Sequence, residues 1–269
     1  KLLPYEIVGF TSKELDVTNF KKTINILESE RPDIIIHTAA YTNVEECEID
    51  PDESFRVNTI GTQNLVNYCI DKDVIFIFIS STGAYGVKKE TEPYTEFDDL
   101  SPTTIHHKTK YEAEKIIQNH LNKYLILRTG WLFGGDIAHN KNFVYKRYLE
   151  ALKNNEMYSD DSQIGNPTYV QDLVRQIQIL IVNNQYGVFN CVNEAYSVTR
   201  YDYVTKIVDL FNLNCNVKKA SEGMFQRAAN VSKNESAINY KLELLNLNVM
   251  GKWEKSLEKY IGQLVKSIL

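Results

Sequence analysis

At Val74–Gly86 the chain reads VIFIFISSTGAYG. The first six residues are apolar and do not alternate with polar ones, which is typical of a parallel strand buried on both faces. Residues with hydroxyl groups follow at once, beginning with Ser80 and Ser81. Because ligands of open α/β sheets bind beyond the carboxyl ends of the strands, we expect these hydroxyls to face a binding site.

A helix that carries a lysine is predicted shortly after this strand. The sequence SPTT at Ser101–Thr104 is a helix start signal, and the helix should run from about Ile105 to His120, with Lys110 facing back toward Ser81. A hydroxyl can polarise a carbonyl group, and a lysine can bind a nicotinamide ribose and lower the pKa of a neighbouring acid. This combination suggests hydride transfer to a carbonyl compound.

Strand and helix patterns alternate along the rest of the chain. Strands are predicted at 5–10, 34–37, 124–129 and 188–192, and helices at 20–30 (capped by Thr18), 53–69, 140–152, 170–182, 201–213 and 253–268. This order predicts an α/β protein with a Rossmann-like, doubly wound parallel sheet and a smaller C-terminal substrate lobe. We expect the nucleotide-binding domain to comprise 1–132 and about 156–183, and the lobe about 133–155 and 184–269.

The front of a nucleotide-binding sheet normally has a strand and a glycine-rich turn whose amides hold a pyrophosphate. Neither G-x-G-x-x-G nor G-x-x-G-x-x-G occurs in the 269 residues. Residues 1–3 read like the end of the helix that follows such a turn. We therefore expect the first strand and the turn to lie upstream of Lys1. The alternative is a genuine deletion, which would remove most of the affinity for a dinucleotide.

Composition narrows the classes of function. The formal net charge of −5 is not the positive charge that is typical of proteins that bind nucleic acid. No apolar run approaches the ~18 residues that a membrane helix needs, and no signal peptide is visible. The four cysteines are scattered without a C-x-x-C pair, so free buried thiols in a reducing cytoplasm are the expectation. We predict no metal site, because the adjacent histidines at 106 and 107 point in different directions on a helix.

Several stretches together resemble the extended short-chain dehydrogenase/reductase superfamily, and within it the dTDP-4-dehydrorhamnose reductase family. They are Glu14–Thr18, Arg31–Val44, Val57–Leu65, Thr109–Glu114, Leu127–Gly134, Lys141–Phe143, Gly165–Tyr169 and Trp253–Leu257. The resemblance covers nearly the whole chain. It implies a Rossmann domain plus a small substrate lobe, and the reduction of a nucleotide-linked 4-keto-6-deoxy sugar with NADH or NADPH.

The resemblance also implies roles for single residues. Ser81, four residues before Tyr85, matches the catalytic serine or threonine, and Lys110 matches the catalytic lysine that also binds the cofactor. The implied cofactor contacts are Asp16, Val17, Ala39, Ala40, Tyr41 and Asn58, although Asp16 could simply form a turn. The implied substrate contacts are Thr82, Trp131, Asn142, Phe143 and Thr168, of which Trp131 could instead pack within the lobe.

The departure from the family is at His106, because the family has Y-x-x-x-K and this chain has HHKTK at 106–110. Tyr111 is five residues downstream, which on a helix turns it about 140° away. Three interpretations of His106 stay open. It could donate the proton itself; the site could be catalytically weak and kept for binding; or another donor near Ser81 or Thr82 could supply the proton.

Two functions follow from these patterns. The first is a cytoplasmic NAD(P)H-dependent reductase of a nucleotide-linked sugar that serves the supply of surface polysaccharide. The second is a catalytically impaired protein on the same fold, which binds a sugar nucleotide or a dinucleotide or has a regulatory role. The expected partner is the nucleotide-sugar substrate, with neither nucleic acid nor a membrane, and a homodimer is compatible with either function.

Overall fold

The computed structural model describes residues 5–221 and 223–268. The strands are β1 (Ile34–His37), β2 (Ile75–Ser81), β3 (Tyr124–Thr129), β4 (Leu132–Phe133), β5 (Glu156–Ser159), β6 (Thr168–Tyr169), β7 (Gly187–Asn190) and β8 (Asn216–Lys219). Four of them form a parallel sheet in the order β1-β2-β3-β7. Parallel neighbours need crossover connections, and helices supply these here.

Ten α-helices accompany the strands in the described part of the chain. They are α1 (Phe20–Glu30), α2 (Val44–Ile49), α3 (Pro51–Phe55), α4 (Gly61–Cys69), α5 (Ile105–His120), α6 (Phe143–Lys153), α7 (Val170–Val182), α8 (Arg200–Leu210), α9 (Tyr240–Leu244) and α10 (Trp253–Ile268). A π-helical turn, Arg56–Ile60, joins α3 to α4, and a 3-10 turn, Thr82–Tyr85, follows β2. The predicted helix at 53–69 is thus interrupted by the π-helical turn.

Hydrophobic clusters cover both faces of the main sheet, as the doubly wound prediction requires. On one face, Phe76 and Phe78 of β2 belong to a cluster with Val66 of α4 and Ile117 of α5. On the other face, residues of β2, β3 and β7 pack with Leu173, Ile177 and Leu180 of α7. Because β2 is buried on both sides, its apolar residues run without alternation.

A smaller lobe is assembled from later parts of the chain. Strands β5 and β8 pair in parallel, with Met157 opposite Val217, and they pack with α6 and α8. A further cluster joins α8 and α10 around Tyr203 and Trp253.

Two of the expected domain boundaries differ from this arrangement. The segment 156–159 pairs with β8 in the lobe instead of joining the nucleotide-binding domain, and β7 pairs with β3 in the main sheet instead of joining the lobe. Both differences come from pairing between strands that are far apart in sequence. The division into two domains stays a prediction.

Two local predictions were wrong. Residues 5–10 do not form a strand, and the side chains of Ile7, Val8 and Phe10 are largely exposed. An apolar run becomes a strand only where a neighbour accepts its hydrogen bonds, and β1 pairs only with β2 among the described residues. The cap of α1 is Asn19 rather than Thr18, since the Asn19 side chain accepts the Lys22 amide.

None of the helices in residues 5–221 and 223–268 has the length and apolarity to cross a membrane. In the same ranges, no group of three or more His, Cys, Asp and Glu side chains could hold a metal ion. All four cysteines are free and buried.

Candidate active site

A cavity of about 670 Å³ lies at the carboxyl ends of β1, β2 and β3, a size typical of small-molecule sites. Its lining includes Ser81, His106, Lys110 and Trp131, so residues predicted from separate parts of the sequence meet here. The apolar part of its wall is formed by Ile36, Ile79 and residues of α7.

Ser81 is the last residue of β2 and caps the 3-10 turn that follows. Its Oγ accepts the backbone N–H of Gly83 at 3.2 Å, and its backbone is extended. No acceptor for the hydroxyl proton of Ser81 is found among the described residues, so that proton can be donated into the cavity. A hydroxyl held in this way can polarise a carbonyl oxygen.

Lys110 lies on α5, one helical turn after His106, and is only 4% exposed. Its Nζ is 3.9 Å from the centroid of the Phe78 ring, a cation–π contact. Burial lowers the pKa of Lys110 to about 7, against the opposing effect of Glu114. Lys110 lines the cavity, and its amine is not solvated like that of a surface lysine.

The nearest acidic residue on α5, Glu114, is engaged elsewhere. Its carboxylate pairs with Arg128 at 2.7 Å and accepts the hydroxyl of Ser80 at 2.5 Å. No carboxylate in residues 5–221 or 223–268 lies within 4.0 Å of Lys110 Nζ. Lys110 is thus without a fixed counter-ion in the described structure.

His106 is fixed by the loop after β1. Its Nδ1 lies 3.0 Å from the carbonyl oxygen of Tyr41. Asn58, on the π-helical turn, holds the same residue by accepting the Tyr41 amide at 2.7 Å and donating to the Tyr41 carbonyl at 3.1 Å. Asn58 also donates to Thr109 of α5. Asn58, one of the predicted cofactor contacts, is therefore a buried clamp between this loop and α5.

His107 fills the space beside the 3-10 turn. A Cβ added to Gly83 would lie 2.1 Å from Cε1 of His107, so this approach requires glycine. The His107 ring also contacts the capping hydroxyl of Thr104 at 3.0 Å. Burial, together with a smaller effect of Lys110, lowers the pKa of His107 to about 4.

The far wall of the cavity contains residues that the sequence did not indicate. The guanidinium of Arg200 lies 3.5 Å from the centroid of the Trp131 ring, and Trp131 donates to Glu235 at 2.9 Å. Gln163 and Arg227 line the same wall. Gln163, Arg200, Arg227 and Glu235 come from segments up to about 70 positions apart, and none has a local motif, so no signal in the sequence could have grouped them.

The structure does not bring every predicted contact to the cavity. Of the remaining predicted residues, Ala40 lines it, whereas Ala39 packs against the core of the main sheet. Asp16 accepts from Thr18 in a turn, and Val17 is buried against Gly61. Their assignment as cofactor contacts stays a prediction.

Three further predicted substrate residues are engaged in contacts within the protein. Asn142 caps α6 and donates to the Tyr260 hydroxyl at 2.7 Å. Phe143 stacks on Tyr203. Thr168 is fully buried in β6. These contacts give the three residues a structural role, and their contact with substrate stays a prediction.

Two threonines near Ser81 have buried hydroxyl groups without a hydrogen-bond partner among the described residues. They are Thr82 and Thr129, and Thr129 lines the cavity. A buried hydroxyl without a partner is costly unless a ligand or water completes it. Together with Ser81 and Lys110, these groups fit the ribose and carboxamide end of a nicotinamide cofactor.

The parallel sheet and this cavity define a nucleotide-binding protein of the Rossmann type, with a second lobe over the carboxyl edge of the sheet. More narrowly, the chain belongs to the RmlD substrate binding domain family, which matches residues 3–266.

Similar proteins agree with this assignment. The chain is 32% identical to the dTDP-4-dehydrorhamnose reductase of Aggregatibacter actinomycetemcomitans over 76% of this chain and 70% of that protein. It is 28% identical to the spore coat polysaccharide biosynthesis protein SpsK of Bacillus subtilis, with the same coverage. The crystal structure of the Bacillus anthracis dTDP-4-dehydrorhamnose reductase in complex with NADP superposes with a TM-score of 0.91 at 31% identity, covering 96% of this chain and 90% of that one.

Proposed function

We propose that the protein is an NAD(P)H-dependent reductase of a nucleotide-linked 4-keto-6-deoxy sugar. The observation that carries this proposal is the meeting of Ser81, Lys110 and Trp131 in one cavity at the carboxyl edge of the parallel sheet. The names of the similar proteins, a dTDP-4-dehydrorhamnose reductase and one solved with NADP, support the same reaction and cofactor.

Each group in the cavity has a part in this reaction. When bound, the nicotinamide supplies the hydride for the carbonyl carbon of the sugar. Ser81 donates a hydrogen bond to the carbonyl oxygen and so stabilises the negative charge that develops there. Lys110 holds the ribose hydroxyls. Trp131, with Arg200 stacked on it, bounds the wall on which the sugar nucleotide lies.

Turnover is the direct test. The full-length protein is incubated with NADPH or NADH and a panel of nucleotide-linked 4-keto-6-deoxy sugars, and cofactor oxidation is followed at 340 nm. We expect oxidation that depends on the sugar, and a loss of at least about a hundredfold in kcat for Ser81→Ala, because one such donor contributes roughly 10²–10³. Thr95→Ala, which removes a partly buried hydroxyl bonded to Asp98, is the matched control.

The same panel separates the enzyme from a binding protein on this fold. Saturable binding of a sugar nucleotide by calorimetry, without oxidation of either cofactor, would identify a binding or regulatory protein and refute the reductase. The observation that favours this second function is the histidine at position 106, where the resemblance implies a tyrosine.

The setting of the reaction is part of the proposal. The name of the similar SpsK protein, which refers to polysaccharide biosynthesis, supports a role in the supply of polysaccharide precursors. The buried free cysteines suit a reducing cytoplasm. The homodimer stays a prediction, which light scattering at several concentrations would test.

A further inference from the structure

The hydrogen bonds of His106 determine which ring nitrogen carries the proton. A carbonyl oxygen can only accept, so the 3.0 Å contact with the Tyr41 carbonyl requires a proton on Nδ1. Asn58 donates to the same carbonyl, which holds the oxygen in place and uses its second lone pair. In the neutral ring, Nε2 is consequently an acceptor with no proton to give.

Donation from Nε2 would need the charged imidazolium, and the surroundings oppose it. Burial, together with smaller effects of His107 and Lys110, lowers the pKa of His106 to about 3. The ring therefore stays neutral throughout the physiological pH range. His106, which stands where a tyrosine is expected, cannot donate the proton that the tyrosine would donate.

Lys110 lines the same cavity as Ser81. It lies one turn from His106 on the same helix, and Glu114, the acid one turn further on, is committed to Arg128 and Ser80. No carboxylate of the described residues forms an ion pair with the Lys110 ammonium, so the protons of that ammonium are not held by a counter-ion. A pKa of about 7 is close to the optimum for a general acid at neutral pH.

The ionisable groups around this amine come from four elements. Those close to it are His37 of β1, His106, His107 and Glu114 of α5, and Arg128 of β3, while Arg200 and Glu235 lie on the far wall. Burial favours the neutral amine, and Glu114 favours the ammonium. The proton of Lys110 is therefore transferable near neutral pH.

We propose that Lys110 is the proton donor of the reduction and that His106 acts only as a hydrogen-bond acceptor. This inference rests on the proposed reductase function. The carbonyl carbon gains the hydride, and the carbonyl oxygen, which accepts a hydrogen bond from Ser81, gains a proton from the Lys110 ammonium. Water then reprotonates the neutral amine. His106 Nε2 accepts a hydroxyl group of the bound ligand and orients it.

The first test needs no turnover. Nitrogen-15 NMR of the full-length protein at pH 7 should show His106 as a neutral ring with the proton on Nδ1, assigned with His106→Gln. Carbon-13 NMR should show one lysine titrating between about pH 6 and 8, and Lys110→Arg should remove that signal whereas Lys115→Arg, on the exposed side of the same helix, should keep it. A charged His106 ring, a proton on Nε2 or a Lys110 titration above pH 9 would overturn the proposal.

The second test uses the pH dependence of kcat. In the natural protein we expect kcat to fall above about pH 7, and in Lys110→Arg this decrease at alkaline pH should be absent. In Lys110→Met, kcat should be at least about a hundredfold lower, since acid catalysis contributes roughly 10²–10⁴. His106→Gln should lower kcat less than about tenfold and keep the decrease at alkaline pH. The reverse pattern, with the decrease lost in His106→Gln and kept in Lys110→Arg, would refute Lys110 as donor and leave the reductase intact. Absence of turnover in the natural protein refutes the reductase itself.

Discussion

At the scale of single residues, the ion pair between Glu114 and Arg128 couples the active site to the core. Glu114 is completely buried and Arg128 nearly so, and Arg128 also donates to the Tyr85 hydroxyl at 3.2 Å. A buried charge that loses its partner costs roughly 3–5 kcal/mol. The pair therefore sets the position of the helix turn that follows Lys110.

Removing this charge gives the first prediction. Glu114→Gln should lower the free energy of unfolding by about 3 kcal/mol, because the Arg128 guanidinium stays buried without a counter-ion. Urea unfolding measures the change. Glu112→Gln, whose ion pair with Lys115 on the same helix is exposed, should cost less than about 1 kcal/mol. Equal effects of the two changes would contradict the importance of burial.

The buried histidines predict a pH dependence of stability. Burial lowers the pKa of His37 to about 3, and the charge of Lys110 adds to the effect. The unfolded chain binds a proton near pH 6.5 that the folded chain does not bind, so stability is complete above pH 6.5 and falls as the pH drops toward 3. At pH 5 the loss for this one histidine should be about 2 kcal/mol.

Unfolding free energies at pH 7 and pH 5 measure this loss. His37→Gln should reduce the difference between the two values, whereas His120→Gln, at the exposed end of α5, should leave it unchanged. If stability is the same at both pH values, the three buried histidines of the site do not resist protonation.

Residues at the site differ in how far the sequence could locate them. Ser81 and Lys110 follow a buried strand and a cap signal, so periodicity alone places them on one edge of the sheet. The state of His106 depends on a hydrogen bond to Tyr41, 65 positions away. No local pattern encodes that contact, and the structure was needed to distinguish a donor from an acceptor.

At the scale of elements, helix α5 is held against the 3-10 turn by the close contact of His107 with Gly83. A side chain on Gly83 would lie 2.1 Å from the His107 ring, and that ring is buried and bonded to Thr104. The ring cannot move without breaking the cap of α5. This contact therefore fixes the separation between the strand end with Ser81 and the helix with Lys110.

Gly83→Ala should destabilise the protein by about 1–3 kcal/mol, the usual cost of overpacking, and should lower kcat as Ser81 and Lys110 separate. Chemical unfolding and turnover measure both effects. The double change with His107→Ala should restore part of the stability, because neighbouring residues are not additive. Gly262→Ala, in α10 with nothing within 4 Å, should be neutral or slightly stabilising.

The elements were largely predictable where burial and periodicity agree. The sequence placed α5 and α7 at their observed bounds, because each has an apolar face at helical spacing and a clear start. It failed for residues 5–10, where apolar residues lack a pairing neighbour, and for β5, whose partner β8 is about 60 positions away. Strand formation depends on partners, whereas helix formation is local.

At the scale of the whole molecule, contacts between the lobe and the main sheet close one side of the cavity. Glu45 of α2 accepts the backbone amides of Ala228 and Ala229 at 2.7 and 3.0 Å and pairs with Arg227 at 3.2 Å. Lys141 reaches Thr42 at 2.8 Å. Both contacts join the segment after β1 to residues beyond position 130, so the sequence could not reveal them.

Because Glu45 positions Arg227 at the cavity wall, Glu45→Ala should weaken the binding of the sugar nucleotide more than the chemical step. The expected result is a rise of about tenfold in KM, equivalent to about 1.4 kcal/mol of binding, with kcat changed less than about threefold. Steady-state kinetics with the accepted sugar nucleotide measure both constants. Asp52→Ala, which removes an exposed carboxylate on α3, should change neither constant. A fall in kcat with constant KM would instead mean that this contact acts on the reaction at Ser81 and Lys110, and that the lobe helps to align the catalytic edge of the sheet.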